Sequence, residues 1–535
     1  MKQYVIGIDF GTLSARAALF DVETGAQLAQ SVAEYPHGVM SAQPDFALQD
    51  PRDYLWALQT VVKAVVADSG VAPESVAGIG LDCTASTVLP LDESGTPMCF
   101  QEQYRAEPHA YIKLWKHHGA QRQADRIAAC AAGEPWLRRY GHQVSCEWLL
   151  PKVVETLDAA PQLYHDTDRF AEVGDWLVWR LTGRESHSAC LAGYKAFWNE
   201  ETGYPDDGFF ARVDPRLSGI VGTKLSRKIV PTGSLAGHLT KETAAWLGLT
   251  ERTAVTSALI DAHAALPSLG LVEQGQLLMI IGTSTCHIVM GEQLRAVPGI
   301  SGAVKDGVAP DFYAYEAGQS AVGDIFDWFV KNCVPASYQQ TAAERGVSLH
   351  ALLQEKAVSL QVGESGLVAL DWWNGNRSIL SNADLSGAIF GLKLSTKPEE
   401  LYRALLESTA YGARVILDAF TAGDVPVQQL FAAGGIPTKN PLLMQIYADV
   451  LGREIQVCAA EQSPALGSAL YTAVAAGCYG SLREAVAAMV HPQMITYRPD
   501  AGRAAKYEKL FAIYKQLHDC LGAEHAEWMK QLKEL

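Results

Sequence analysis

The sequence predicts an α/β protein of two domains with a central cleft between them, and three observations point there. Ile6-Gly7-Ile8-Asp9-Phe10-Gly11-Thr12 and Ser14-Ala15-Arg16-Ala17-Ala18-Leu19-Phe20 are β-rich runs flanking a tight Gly/Thr/Ser turn, the pattern of a hairpin. Leu278-Met279-Ile280-Ile281-Gly282-Thr283-Ser284-Thr285 echoes it far downstream, another apolar strand running into Gly-Thr-Ser. The chain has 535 residues, too many for one core, so two large domains are expected, divided as 1–265 and 266–535.

The hairpin tip can carry chemistry. Glycine lets the backbone approach an anion, the N–H groups and the Thr12 and Ser14 hydroxyls can bond phosphate oxygens, and Asp9 at a strand end can face Mg²⁺ or its waters. An ordinary hairpin can hold the same residues, so the motif alone leaves both readings open. The Gly282-Thr283 echo favours two phosphate loops facing each other across a cleft.

Composition narrows the class. With 48% hydrophobic and 19% charged residues there is ample apolar material for buried cores. The formal net charge of -16 argues against a nucleic-acid or anionic-membrane surface, although a local basic pocket stays compatible with it. The 10 cysteines are scattered with no C-x-x-C pair, which fits a reducing cytoplasm better than a disulfide framework or zinc site. Neither a signal peptide nor a membrane span is expected.

Taken in order, residues 26–35 read as a third strand after the Glu23-Thr24-Gly25 corner. Asp50-Pro51-Arg52-Asp53 opens a helix whose apolar stripe is Tyr54, Leu55, Leu58, Val61, Val62, Val65 and Val66, and Gly70 ends it. Val76-Ala77-Gly78-Ile79-Gly80-Leu81-Asp82 is a short buried strand, with residues 84–91 as its expected hairpin partner. Three strands, a helix and a strand resemble the order of the ribonuclease-H-like ATPase domains of actin, heat-shock ATPases and sugar kinases, which bind ATP between two such units.

Residues 97–252 are richer in helical pattern. A helix is expected over 170–183, its tryptophans used for packing rather than ligand stacking. The pair His117-His118 is a poor chelate, because residues sharing a helix face are three or four apart. Ala192-Gly193-Tyr194-Lys195-Ala196 sets a lysine in apolar surroundings. Ser257-Ala258-Leu259-Ile260-Asp261-Ala262-His263 sets an acid at the end of an apolar run, placed to project into a cleft as a base or to cap the following helix. An aspartate can do both.

In the second half, Tyr315-Glu316-Ala317-Gly318 places an acid among small residues, and residues 398–420 form a strong helix. Leu430-Phe431-Ala432-Ala433-Gly434-Gly435 is a strand and a double-glycine turn leading to a helix near Asn440, where bare backbone lets a flat base or ribose lie close. Ser463-Pro464-Ala465-Leu466-Gly467-Ser468-Ala469 begins a small-residue helix, and residues 507–535 form a charged amphipathic one. The domain change is expected within residues 261–275.

D-F-G-T at Asp9, the mid-chain Asp261, G-T-S at Gly282, A-G-G at Ala433 and A-L-G-S-A at Ala465 stand in the order found in the FGGY carbohydrate kinases, which the chain resembles over nearly its whole length. Leu114-Trp115-Lys116-His117-His118, Ala192-Gly193-Tyr194-Lys195, Tyr315-Glu316-Ala317-Gly318-Gln319-Ser320 and Asp371-Trp372-Trp373-Asn374-Gly375-Asn376-Arg377 look most like the members that act on L-ribulose. The resemblance implies two ribonuclease-H-like, actin-like domains, with sugar and catalytic base on 1–265 and ATP on 266–535. It implies ATP-dependent phosphorylation of a ketopentose at its 5-hydroxyl, L-ribulose to L-ribulose 5-phosphate in arabinose catabolism. In that scheme Asp261 is the general base, while Ala85, Lys195 and Glu316 join it around the sugar. Asp9 sits at Mg²⁺; Thr12, Ser14, Gly282 and Thr283 sit at the phosphates; Gly434, Gly435 and Asn440 sit near the nucleoside.

One departure stands out: many FGGY kinases carry an aromatic residue in a K-L-x-W segment, where this chain has Lys152-Val153-Val154-Glu155. No Walker-A motif occurs, so the two Gly-Thr loops must serve as the phosphate cradle. The alternatives are another FGGY kinase acting on D-ribulose, xylulose or ribitol, and a nucleotide-switched actin-like binding protein. Sugar and ATP are the expected partners, and a homodimer is among the assemblies the sequence allows.

Overall fold

Two seven-stranded sheets, each opening on an antiparallel hairpin and continuing with a parallel strand on its far side, frame the molecule. The computed structural model describes residues 2–458 and 464–535. In the first sheet Tyr4–Phe10 pairs antiparallel with Ser14–Asp21 and parallel with Val76–Cys83. Gln27–Glu34 extends one edge, and Ala254–Thr256 with Leu235–His238 the other. In the second sheet Gln276–Ile281 pairs antiparallel with Thr285–Gly291 and parallel with Gln429–Ala433. The echo between the two Gly-Thr turns is therefore a repeat of local topology.

Local chemistry accounts for the element ends. Asp50 caps Pro51–Ser69 by accepting from the Arg52 N–H, and Gly70 closes that helix in the left-handed region at φ 65°. Two expectations are corrected. Residues 84–91 do not fold back on the Val76–Cys83 strand: Val88–Leu91 joins a separate four-stranded sheet with Ile112–Lys113, Leu48–Gln49 and Arg169–Glu172. The loop at 84–87 carries the chain away from the first sheet, which is how that small sheet comes to stand beside the cleft. The helix expected over 170–183 is Val173–Thr182, preceded by the strand Arg169–Glu172; the alternation of Phe170, Ala171 and Glu172 is too short for pattern alone to separate strand from helix. Its Trp176 is fully buried and donates its Nε1–H to the Gly95 carbonyl, a packing role.

The helix Pro398–Ala422 runs two residues beyond its expected end, as one buried rod through the second lobe. At the C-terminus one amphipathic helix was expected from 507; the chain instead forms Ala501–Asp519, a π-helical turn at Cys520–Glu524 and Ala526–Glu534. Ser463 lies outside the described residues.

Chain order and packing part company at Pro464–Ala475. This helix follows six of the seven strands of the second sheet, yet it lies on Tyr4–Phe10 and Val76–Cys83 of the first, and its Ala465, Leu466, Ala469 and Leu470 belong to the first lobe's core. Glycines permit the approach. A Cβ at Gly7 would overlap the Ala465 carbonyl, one at Gly80 would strike Thr472 and Ser468, and one at Gly467 would overlap the carbonyl of Ala264. Replacing Gly467 with Val is expected to destabilise the fold by about 1–3 kcal/mol or more, since backbone rather than a movable side chain blocks the new atoms. Denaturant titration checks this; an unchanged midpoint would mean that the helix has room to shift.

Candidate active site

Parallel pairing sets three carboxylates side by side. Asp9 and Asp82 are direct register partners on adjacent strands. Leu259–Ile260 pairs beside Asp82 and Cys83, so the next residue, Asp261, emerges at the same sheet edge. Asp261 is the first residue of the helix Asp261–Ser268, and its Oδ1 accepts the Ala262 N–H at 2.7 Å, leaving the other oxygen for the cleft. The N-cap position itself belongs to Ile260. Ligands in open α/β folds bind where strands end in this way.

All three acids are raised from the ordinary carboxylate range. Burial raises Asp9. Burial and then the charge of Asp9 push Asp82 well above the carboxylate range, and the same two causes lift Asp261 to about 7. Asp82 accepts the Ser468 hydroxyl at 2.6 Å through Oδ2, while its Oδ1 is buried with no protein partner. Oxygen-only donors and mutually repelling carboxylates fit a hard divalent cation, with Asp9 facing the cleft as its first candidate ligand. A carboxylate tuned to neutrality is also a competent proton acceptor.

Across the cleft, Glu316 on the strand Tyr313–Gln319 reaches back to the first lobe. Lys195 Nζ donates to its Oε1 at 3.0 Å, and His263 Nε2 stands 3.0 Å from its Oε2. Burial alone would raise Glu316, but the Lys195 ammonium and the His263 hydrogen bond hold it well below the ordinary carboxylate range. Burial pushes His263 down, and because a carboxylate can only accept, the His263 Nε2–H is the donor. Lys195 ends the buried helix Ala189–Lys195, whose cap Ser188 accepts the Cys190 N–H.

These groups share one cavity of about 1010 Å³, lined in part by Asp9, Thr12, Ala85, Lys195, Asp261, Gly282, Thr283 and Glu316. Eight of the twelve expected site residues therefore converge. Ser14 does not: it begins the return strand, and the turn uses its carbonyl, which accepts the Gly11 N–H at 3.0 Å. Gly434, Gly435 and Asn440 are not in the cavity's lining; Gly434 stands against the Ile281 carbonyl at the end of Gln276–Ile281. Asn440 Oδ1 caps the helix Pro441–Leu451 by accepting from the Leu443 N–H, so its side chain has a structural task.

Several lining groups had no assigned role in the sequence. Trp115 donates its Nε1–H to Thr12 Oγ1 at 3.2 Å. Arg377 pairs with Glu147 at 3.1 Å across the lobes, with His118 3.4 Å from the same oxygen. Against the cost of its burial, Arg377 and His118 hold Glu147 down at about 2. His117 is instead buried against Glu155, 2.9 Å away. Only Asp82 had a usable signal: Gly-Ile-Gly-Leu-Asp ends as Ile-Gly-Ile-Asp does at Asp9.

The profile described as "FGGY family of carbohydrate kinases, N-terminal domain" matches residues 4–267, and that of the C-terminal domain matches 277–476. Two relatives called ribulokinase are similar throughout. That of Geobacillus thermodenitrificans is 48% identical, covering 99% of this chain and 97% of its own; that of Halalkalibacterium halodurans is 49% identical, covering 100% and 97%. Among solved structures, a gluconate kinase from Lactobacillus acidophilus superposes with TM-score 0.84 at 17% identity, over 99% of this chain and 100% of that one. A xylulose kinase from Rhodospirillum rubrum gives 0.82 at 24%, over 98% and 100%. These two likenesses speak to the fold.

The glycine turns separate by their surroundings. A Cβ on Gly435 meets no protein atom and one on Gly282 only ordinary contact, whereas Gly434, at φ 112°, is pressed against the Ile281 carbonyl. Gly282→Val and Gly435→Val are expected to fold and to lose nucleotide affinity more than sugar affinity; Gly434→Val is expected to lose stability. Calorimetry with each ligand, beside thermal unfolding, checks the contrast, and equal weakening of both ligands would count against the assignment.

Proposed function

Because this chain belongs to the FGGY family of carbohydrate kinases, we propose that it phosphorylates a ketopentose with ATP, converting L-ribulose to L-ribulose 5-phosphate. The observation that carries this reading is the meeting of Lys195, Asp261 and Glu316 in one cavity with the two Gly-Thr turns. An ammonium and a carboxylate held together suit the keto oxygen and neighbouring hydroxyls of a small sugar, and have no evident use in a polymer contact. The name carried by relatives at 48% and 49% identity supports L-ribulose over D-ribulose, xylulose or ribitol.

The mechanism follows from phosphoryl transfer. The sugar's 5-oxygen attacks the γ-phosphorus in line, the bond to the β–γ bridging oxygen breaks, ADP departs, and the hydroxyl proton passes to Asp261. Backbone N–H groups of the turns at Thr12 and Gly282-Thr283 receive the phosphates. Asp9 would hold Mg²⁺, which when bound neutralises charge on the phosphate oxygens. Lys195 and Glu316 orient the acceptor, and because they come from opposite lobes a bound sugar helps hold the cleft shut against water. A cytoplasmic setting is supported by the free thiols, which include buried Cys83, Cys99 and Cys190.

Asp261→Asn is expected to fold, bind ATP and lose turnover by about 10² to 10⁴-fold. Coupled ADP-release assays measure it, and near-wild-type turnover would remove Asp261 from the mechanism. Lys195→Met should raise the sugar KM and narrow the preference for L-ribulose over xylulose, with ATP affinity held within about twofold. A panel of ketopentoses and pentitols decides the substrate; an unchanged selectivity ratio in Lys195→Met would assign the lysine to joining the lobes alone.

A further inference from the structure

The loop 84–87 bears Ala85, the one residue of the proposed sugar site that has no functional group of its own. What Ala85 contributes is where its backbone and methyl stand, so whatever fixes the loop fixes the site. Ser86 occupies the left-handed region at φ 56°, unusual for a residue with a Cβ. Lys152 lies under the loop. It is 1% exposed, on the helix Leu149–Ala159, and its Nζ donates to the Ser86 carbonyl at 2.5 Å and to the Leu114 carbonyl at 2.7 Å. Leu114 directly precedes Trp115, whose indole N–H holds Thr12 on the phosphate side. One ammonium thus ties two walls of the cavity together without lining it.

The surroundings support the charge. Glu172 accepts the Thr87 N–H at 2.8 Å, and it supplies the strongest opposite charge to Lys152. Burial brings Lys152 down to about 8 and raises Glu172 to about 7, as befits two costly groups sharing one apolar interior. The departure at Glu155 fits the same construction. Glu155 accepts from Lys113 at 2.6 Å and faces His117, and Lys113 also donates to the Lys152 carbonyl at 3.1 Å, so the helix carrying Lys152 is itself pinned. A buried apolar side chain would fill this space at less cost. The ammonium is used for its two directed bonds.

We propose that Lys152 is a positioning residue for the sugar: through the Ser86 and Leu114 carbonyls it sets the 84–87 loop against the Thr12 turn, and so the fit of the acceptor to the phosphate. This rests on the assignment of Ala85 and its neighbours to the sugar side. Lys152→Met is expected to lower kcat/KM for the sugar by about 10- to 100-fold, mainly through KM, to change the ratio between L-ribulose and ribitol, and to leave the ATP KM within about twofold. Lys152→Arg, which keeps charge and donors, should restore part of the loss. A folded Lys152→Met with lowered thermal stability but unchanged sugar KM and selectivity would overturn the proposal. Should that variant fail to fold, Glu172→Gln carries the test. It keeps an acceptor for the Thr87 N–H but removes the charge that supports the ammonium, and a sugar KM raised about threefold is expected, an unchanged one overturning it. The wild-type protein is assayed first on the sugar panel. Turnover of none of the pentoses would refute the ketopentose reading alone, and the Lys152 variants would then be read with whichever carbohydrate is accepted.

Discussion

The closest constraint in the structure is the seating of the helix Pro464–Ala475 on the glycine-bearing strands of the first sheet. Gly7 leaves no Cβ against the Ala465 carbonyl and Gly80 none against Thr472 and Ser468, while Gly467 lets the same helix approach the Ala264 backbone of Asp261–Ser268. Packing at that distance gains dispersion contacts and leaves little tolerance for added atoms. It also brings Ser468 within 2.6 Å of Asp82 and so orients the innermost of the three acids. A segment late in the chain thereby completes a site begun in the first residues, and the lobes are joined by chain crossing as well as by contact.

From that foundation the site is electrostatic in design. Asp9, Asp82 and Asp261 are forced together by strand register, and burial raises all three carboxyls from their ordinary range. Across the cleft the opposite arrangement holds. Glu316 stays charged because Lys195 and His263 satisfy both of its oxygens. One wall thus gathers carboxyls raised by burial, the other a carboxylate kept low by its partners. A second ionic link between the lobes, Arg377 with Glu147, stands at the same cavity and is supported by His118.

Much of this was legible beforehand, for reasons specific to each residue. The hairpin at residues 4–21 and the helix 51–69 were readable because alternation, caps and closing glycines are local signals. Lys195, Asp261 and Glu316 were singled out as polar groups in apolar runs, and all three line the cavity. The errors were also local in origin. Val88–Leu91 shows a strand but not its partner, which lies some eighty residues on at Arg169–Glu172. At Asn440 the side-chain oxygen caps a helix, a task that calls for the same amide as a ligand contact does. Glu155 read as a departure from a pattern until Lys113 and His117 were found around it.

The sequence by itself determined which residues are candidates for chemistry and where most helices, strands and turns begin, since those depend on side-chain type and on spacing along a few residues. It could not supply the pairing of Asp9 with Asp82, the reach of Lys195 to Glu316, or the grip of Lys152 on Ser86, whose partners are 73, 121 and 66 residues apart in the numbering. Those were decided by tertiary structure, because strand register and helix seating are settled by the shape of whole packed layers. The energy of a buried charge likewise depends on every neighbour that packing brings within reach.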